Sequence, residues 1–195
     1  YLLDYDRSKQ IYRLVDNPDT DRSQNFPNRL SQTGLFASVE DQDPAPGVIS
    51  YSINAPHWAD RTQSQRWMAV PGDKQVELDK KANWLLPDGS VLAKTVSIEI
   101  EPGKPATERR LETQILHREA GSWRPYTYVW NDEQTDAQLA DKNGFSRTLS
   151  IADPQAPGGR REQTYRFTSR AECLVCHNPW VEARATVFGV GRALH

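Results

Sequence analysis

Three residues of this chain have the types and the spacing for chemistry: Cys173, Cys176 and His177, in the run CLVCH. They include the chain's only two cysteines, three apart, with one of its four histidines directly after the second. Random placement of those residues gives this arrangement with a probability on the order of 10⁻⁴, and Cys-x-x-Cys-His is the attachment signature of a c-type haem. Two thiols a turn apart can each add to one haem vinyl group, which holds the adjacent imidazole beneath the iron. The expectation is one covalent haem c on Cys173 and Cys176. His177 is then the proximal iron ligand, its second ring nitrogen donating to an acceptor that fixes the ring.

Three other readings compete. A zinc site needs a fourth ligand from His57, His117, His195 or a carboxylate, and the three crowded donors lack the paired spacing of structural zinc. A thioredoxin-like dithiol calls for a βαβ context, which the strand-rich sequence before Cys173 does not supply. A plain structural disulfide explains neither the spacing nor the histidine. Haem attachment is the reading carried forward.

The second axial position is left open by the residues. Met68, in RWMAV, would raise the reduction potential, and a second histidine would lower it. Met68 and His195 are the candidates. His57 stands in a loop-like NAPHWAD, and His117 falls on the apolar face of a strand, where a core histidine is the plainer reading. Missing sequence, another subunit or an open coordination position complete the alternatives.

Other features read as structure. Glu112 is placed to pair with Lys94 or Arg110 across neighbouring strands, as an ion pair rather than a catalytic acid. Trp123, Tyr126, Tyr128 and Trp130 read as the aromatic face of a sheet core. Trp180 is positioned to shield a haem.

The elements that must position the motif are strands. Six Trp, seven Tyr and 13 Pro describe an aromatic, loop-rich β protein rather than a helical bundle. Residues 1–47 form an irregular arm punctuated by Asn17-Pro18, Phe26-Pro27 and DPAPG, with a short helix around 28–33. Residues 48–170 carry short β-branched and aromatic runs separated by turn signals such as PGD, PDG, AGS and PGG. Leu111, Thr113, Ile115 and His117 alternate with Arg110, Glu112, Gln114 and Arg118, the pattern of a half-buried strand. The expected fold is mainly β, an antiparallel β-sandwich or jelly roll, interrupted by one short helix at QTDAQLA capped by Thr135. Residues 171–195 form a haem-attachment segment in which NPWVEARA, starting at Asn178, makes a short helix.

With 195 residues the chain is long enough for one domain with elaborations. Its net charge of -2 gives no global field for nucleic acid or an anionic membrane. No apolar run approaches the roughly 18 residues of a transmembrane helix, and the first residues show neither a methionine start nor a signal-peptide pattern, as in a processed or truncated chain.

The runs FPNRLSQTGLF, GVISYSINAPHWAD, LPDGSVLAKT, RRLETQIL, WRPYTYVWNDEQTDAQL and ECLVCHN together resemble a family of uncharacterised bacterial exported proteins. In that family a β-rich region precedes a single CxxCH motif. Its members are often lipoprotein-like, or sit in larger chains with β-propeller or β-helix modules related to quinoprotein sugar dehydrogenases. The resemblance carries over only Cys173, Cys176 and His177 as cofactor residues. It also implies more sequence after VFGVGRALH, where this chain ends.

The functional expectation is an exported monohaem c-type cytochrome-like protein, an electron carrier more than a catalyst, in the periplasm or otherwise outside the cytoplasm. Its partner is a redox protein or a larger cytochrome or dehydrogenase assembly. The alternatives are a haem-bearing subunit or module of a periplasmic dehydrogenase or other haem enzyme, and a structural subunit of a larger cytochrome assembly.

Overall fold

The computed structural model describes residues 2–3, 11–12, 26–55, 59–80 and 83–177. Fourteen strands lie among them. β1 (Leu2–Leu3) pairs with β2 (Ile11–Tyr12), β3 (Phe36–Ser38) with β4 (Asp43–Pro44), and β7 (Glu77–Leu78) with β8 (Trp84–Leu85). The central element is a six-stranded sheet built from β5 (Val48–Ser50), β6 (Thr62–Ala69), β9 (Val91–Glu99), β10 (Glu108–Glu119), β11 (Ser122–Trp130) and β12 (Ala137–Leu139). Its order is β12-β11-β10-β9-β6-β5, with every pair antiparallel. β13 (Phe145–Ala152) and β14 (Arg160–Phe167) form a separate hairpin, and α1 (Arg170–His177) follows.

The β10–β11 hairpin shows how closely the local sequence sets the register. Ala120 and Gly121 sit at φ of 47° and 73° between the paired residues Glu119 and Ser122. A two-residue loop with both φ values positive matches the twist of the flanking strands, and glycine takes that conformation without strain.

A bulge in β10 decides which side chains reach which face. Arg110 pairs with Ser97 and Glu112 with Val96, so Leu111 is an extra residue. Strict alternation would set Leu111 beside Thr113 and Ile115 and put Arg110 with Glu112. The bulge reverses both assignments. Leu111 packs with Ile98, Ile151 and Phe167, while the Arg110 guanidinium lies 4.1 Å from the centre of the Trp130 ring among the other core residues.

Each face of the sheet therefore has its own cover. On one face Trp67, Ala93, Ile115, Tyr126, Tyr128 and Trp130 are packed under Leu30, Leu35, Phe36 and Val39. These last four come from the stretch read as an irregular arm, whose turn of 3₁₀ helix at Leu30–Gln32 matches the short helix expected there. Tyr128 donates its hydroxyl to the Pro27 carbonyl at 2.7 Å, which fastens that cover to the sheet. On the opposite face the β13–β14 hairpin contributes Ile151 and Phe167, with Phe145, Leu149 and Tyr165 beside them.

One expected helix is instead a strand. Thr135 does not cap a helix in QTDAQLA. Asn131 Oδ1 accepts the backbone N–H groups of Thr135 and Asp136, closing a turn that delivers Ala137–Leu139 to the edge of β11. Ala137 is buried and Gln138 exposed, a period of two, and an open strand edge offers hydrogen bonds that an isolated helical turn would lack. The helix expected at NPWVEARA lies outside the described residues. Among the described residues no helix is long and apolar enough to cross a membrane.

Candidate functional site

The motif lies on α1 itself, and the reason is local. Ser169, Arg170, Ala171 and Glu172 form the S-x-x-E pattern of a capping box. The Ser169 N–H donates to Glu172 Oε2 at 2.6 Å, and the Glu172 N–H donates back to the Ser169 hydroxyl at 3.1 Å. The Cys173 N–H donates to the Ser169 carbonyl at 3.1 Å. With Arg166 Nη2 also donating at 3.1 Å, the Glu172 carboxyl is pulled down to about 2, first by the Ser169 backbone N–H. That pattern was present in the sequence and predicts the start of this helix.

A helix turns about 100° per residue, so Cys173, Cys176 and His177 fall within roughly 100° of arc on one side. Both thiols are unbridged. Cys176 is exposed, while Cys173 and His177 are half-buried. No residue of α1 is fully buried, so a face of this short helix stands open beside its thiols.

The helix is held at its N-terminal end. It packs against β11, the Arg170 N–H donates to the Lys142 carbonyl at 3.0 Å, and the Arg170 guanidinium stands 4.9 Å from the centre of the Tyr126 ring. Gly144 lies against the segment entering the helix. Its φ is +66°, and a Cβ there would come within 2.5 Å of the Phe167 carbonyl oxygen and 2.6 Å of the Ser169 nitrogen.

Beneath the Cys173 side of the helix is a polar cluster that sequence reading did not assemble. The Cys173 thiol is 3.5 Å from the Thr168 hydroxyl, and Gln114 Nε2 donates to that hydroxyl at 3.3 Å and to Glu112 Oε1 at 2.6 Å. The Tyr165 hydroxyl donates to the same Oε1 at 2.9 Å. Glu112 is 1 % exposed, and its Oε2 has no hydrogen-bond partner among the described residues. Burial pushes the Glu112 carboxyl up against the opposing pull of Tyr165, Gln114 and Lys94, and burial likewise raises the Cys173 thiol and lowers the Lys94 ammonium.

Neither expected ion pair forms. Lys94 is paired in register with Gln114, one position diagonal to Glu112, and lies within its field without a salt bridge. Arg110 is turned to the other face by the bulge, where it donates to the Glu40 and Gln134 carbonyls at 2.6 and 2.9 Å.

The candidates for a second iron ligand are scattered. Met68, on β6, pairs with Leu92 and Ile49, and β6 is three strands from β11, about 14 Å at ordinary strand spacing. His117 lies on the sheet face opposite Gln114, its ring 6.0 Å from that of Phe26. It borders a cavity of about 150 Å³ with Phe26, Leu35 and Ile115, a volume suited to a benzene-sized molecule rather than a porphyrin. His57, His195 and Trp180 lie outside the described residues. Of the aromatic group, Tyr126, Tyr128 and Trp130 share the buried face, and Trp123 projects from the other, stacked by Arg118.

Among the described residues no group of three or more His, Cys, Asp or Glu side chains is arranged to hold a metal ion. α1 carries two unbridged thiols and an imidazole on one side of a helix, the donor types that covalent attachment of a haem would need. Comparison with protein-family models, curated proteins and solved structures gave no match.

Proposed function

We propose that this chain is an exported monohaem c-type cytochrome-like protein that passes single electrons to a redox partner or within a larger cytochrome or dehydrogenase assembly. The observation that carries the reading is the CxxCH motif displayed on one side of a capped helix with both thiols unbridged. When bound, the haem supplies a one-electron ferric/ferrous couple. Cys173 and Cys176 would tether it and His177 would be its protein iron ligand.

The rest of the chain supports and orients. The capping box fixes the start of the helix, Gly144 lets the 167–169 segment approach closely, and the antiparallel sheet with the β13–β14 hairpin packed on one face supports both. Cys173 is half-buried and Cys176 exposed, so the two residues that would hold the group differ in their access to solvent. Haem attachment of this kind takes place outside the bacterial cytoplasm, which sets the proposed location in the periplasm or at the cell surface.

Pyridine haemochrome analysis and intact mass of the protein purified from its native host test the reading. A mass raised by one haem and a c-type haemochrome spectrum are the expected results. An unmodified chain overturns it.

A further inference from the structure

We propose that Glu112 is a proton-binding site coupled to the haem electron, so that reduction at the α1 motif is accompanied by proton uptake at a carboxyl beneath it. The inference rests on the haem reading above and extends it. Three features of the geometry carry it. Glu112 is almost wholly enclosed, at 1 % exposure, yet one of its oxygens has no partner among the described residues. A buried carboxylate oxygen without a donor is costly, and a proton on that oxygen relieves the cost. Hydrogen bonds also link this carboxyl to the motif without a break: Glu112 Oε1 to Gln114 Nε2, Gln114 Nε2 to the Thr168 hydroxyl, and that hydroxyl to Cys173 Sγ.

The charged and titratable groups around Glu112 come from several elements. Lys94 on β9 favours the ionised form, and Arg66 on β6 acts on Lys94 in turn. Tyr165 on β14 donates to the carboxyl, and Cys173 on α1 is the thiol at the far end of the chain of bonds. The paired residue on β11 is Val129, which brings no charge, and Phe145 and Leu149 of β13 lie in the adjoining apolar cluster. Once Cys173 carries a thioether its own titration is removed. Glu112 and Lys94 then remain within each other's field, with Arg66 beside Lys94 and the Tyr165 hydroxyl on the carboxyl.

The coupling balances as one electron and one proton. Glu112 Oε2 takes a proton from water as the iron takes an electron from a donor protein, ferric becoming ferrous. Passing that electron to an acceptor protein returns the proton to water. The added electron makes the site more negative, which favours the protonated carboxyl, and by linkage the protonated carboxyl favours the reduced iron.

The test is the midpoint potential of the purified holoprotein as a function of pH, for wild type and E112Q. In wild type the potential falls as pH rises through a window above the ordinary carboxylate range. E112Q holds a flat potential through that window, a difference that titrating haem propionates would not produce because both proteins have them. Y165F is the second variant: losing a donor that favours the ionised form moves the window to higher pH. Reduced-minus-oxidised infrared spectra of the wild type are expected to show a protonated-carboxyl band. A haem-loaded wild type with a flat potential, or an E112Q protein with the wild-type slope, overturns the coupling alone. A chain that carries no haem overturns both this inference and the functional reading beneath it.

Discussion

The hydroxyl of Tyr165 donates to Glu112 Oε1 at 2.9 Å and so ties the β13–β14 hairpin to the central strand of the main sheet. The bond crosses between two layers that also meet through the apolar contacts of Ile98, Leu111, Ile151 and Phe167 and through the Ala152 N–H, which donates to the Ile100 carbonyl at 2.8 Å. Burial and the neighbouring carboxyl both push the Tyr165 phenol above its ordinary value, which favours its protonated, donating form.

Replacing Tyr165 with phenylalanine removes that donor and leaves Glu112 to Gln114 alone. A hydrogen bond of this kind contributes about 1 to 2 kcal/mol. The Y165F protein should unfold at lower urea concentration by that amount with an unchanged slope. Equal midpoints for wild type and variant would show that the tie contributes nothing.

Glu112 should also make stability depend on pH. A carboxyl whose folded value is raised contributes stability that is fully present below the unfolded value of about 4.3, and that contribution is lost as pH climbs through the raised value. E112Q does not titrate. Its stability relative to wild type should therefore grow across that climb, by about 1.4 kcal/mol for each unit by which folding raises the carboxyl. Denaturation curves at a series of pH values read the difference directly, and a constant offset would contradict it.

Glu172 acts in the opposite direction. Its folded value is lowered to about 2, so the help it gives the start of α1 is present above the ordinary carboxylate range and disappears as pH falls toward 2. Amide exchange in residues 170–177 should quicken over that fall, while E172Q shows fast exchange throughout. Identical exchange in the two proteins at neutral pH would mean that the capping box does not hold the helix.

Gly144 is expected to tolerate no side chain. An alanine there would combine a positive φ with contacts near 2.5 Å to backbone atoms, which do not move aside as a flexible side chain does. G144A should lose more than about 1 kcal/mol of stability, with amide shifts concentrated in 167–173. Wild-type stability in G144A would remove Gly144 from the set of residues that seat the helix.

Cys176 and Cys173 should differ in their reactivity before any group is attached. Cys176 is exposed, whereas burial raises the Cys173 thiol. In haem-free protein an alkylating reagent should modify Cys176 several-fold faster, measured by peptide mass after timed quenching. Equal rates would be inconsistent with the half-buried setting of Cys173.

Much of this molecule was legible as one-dimensional pattern. The strands from Val91 to Trp130 follow alternation and β-branching, and the turn at Ala120-Gly121 is marked by its residues. The motif was legible because spacing is a property of sequence. What escaped depends on events between elements. The bulge at Leu111 exchanges the faces of two adjacent residues, a change set by pairing with Ser97 and Val96 rather than by β10 alone. Ala137–Leu139 became a strand because β11 had an edge to offer. The Glu112 cluster gathers side chains from β10, β14 and the segment before α1, whose meeting no local window contains. Ser169 and Glu172 are different: their S-x-x-E pattern was readable, and it places the helix start before the cysteines rather than after them.

Only Thr168 and Ser169 separate the end of β14 from the start of α1. In the order in which the chain is made, all six strands of the main sheet precede β13 and β14, and the thiols come after both. The two cysteines thus emerge when every strand that will support them has already been synthesised. Folding that proceeds from the N-terminal side presents them on a nearly finished platform, with the short joint left to settle which way they face.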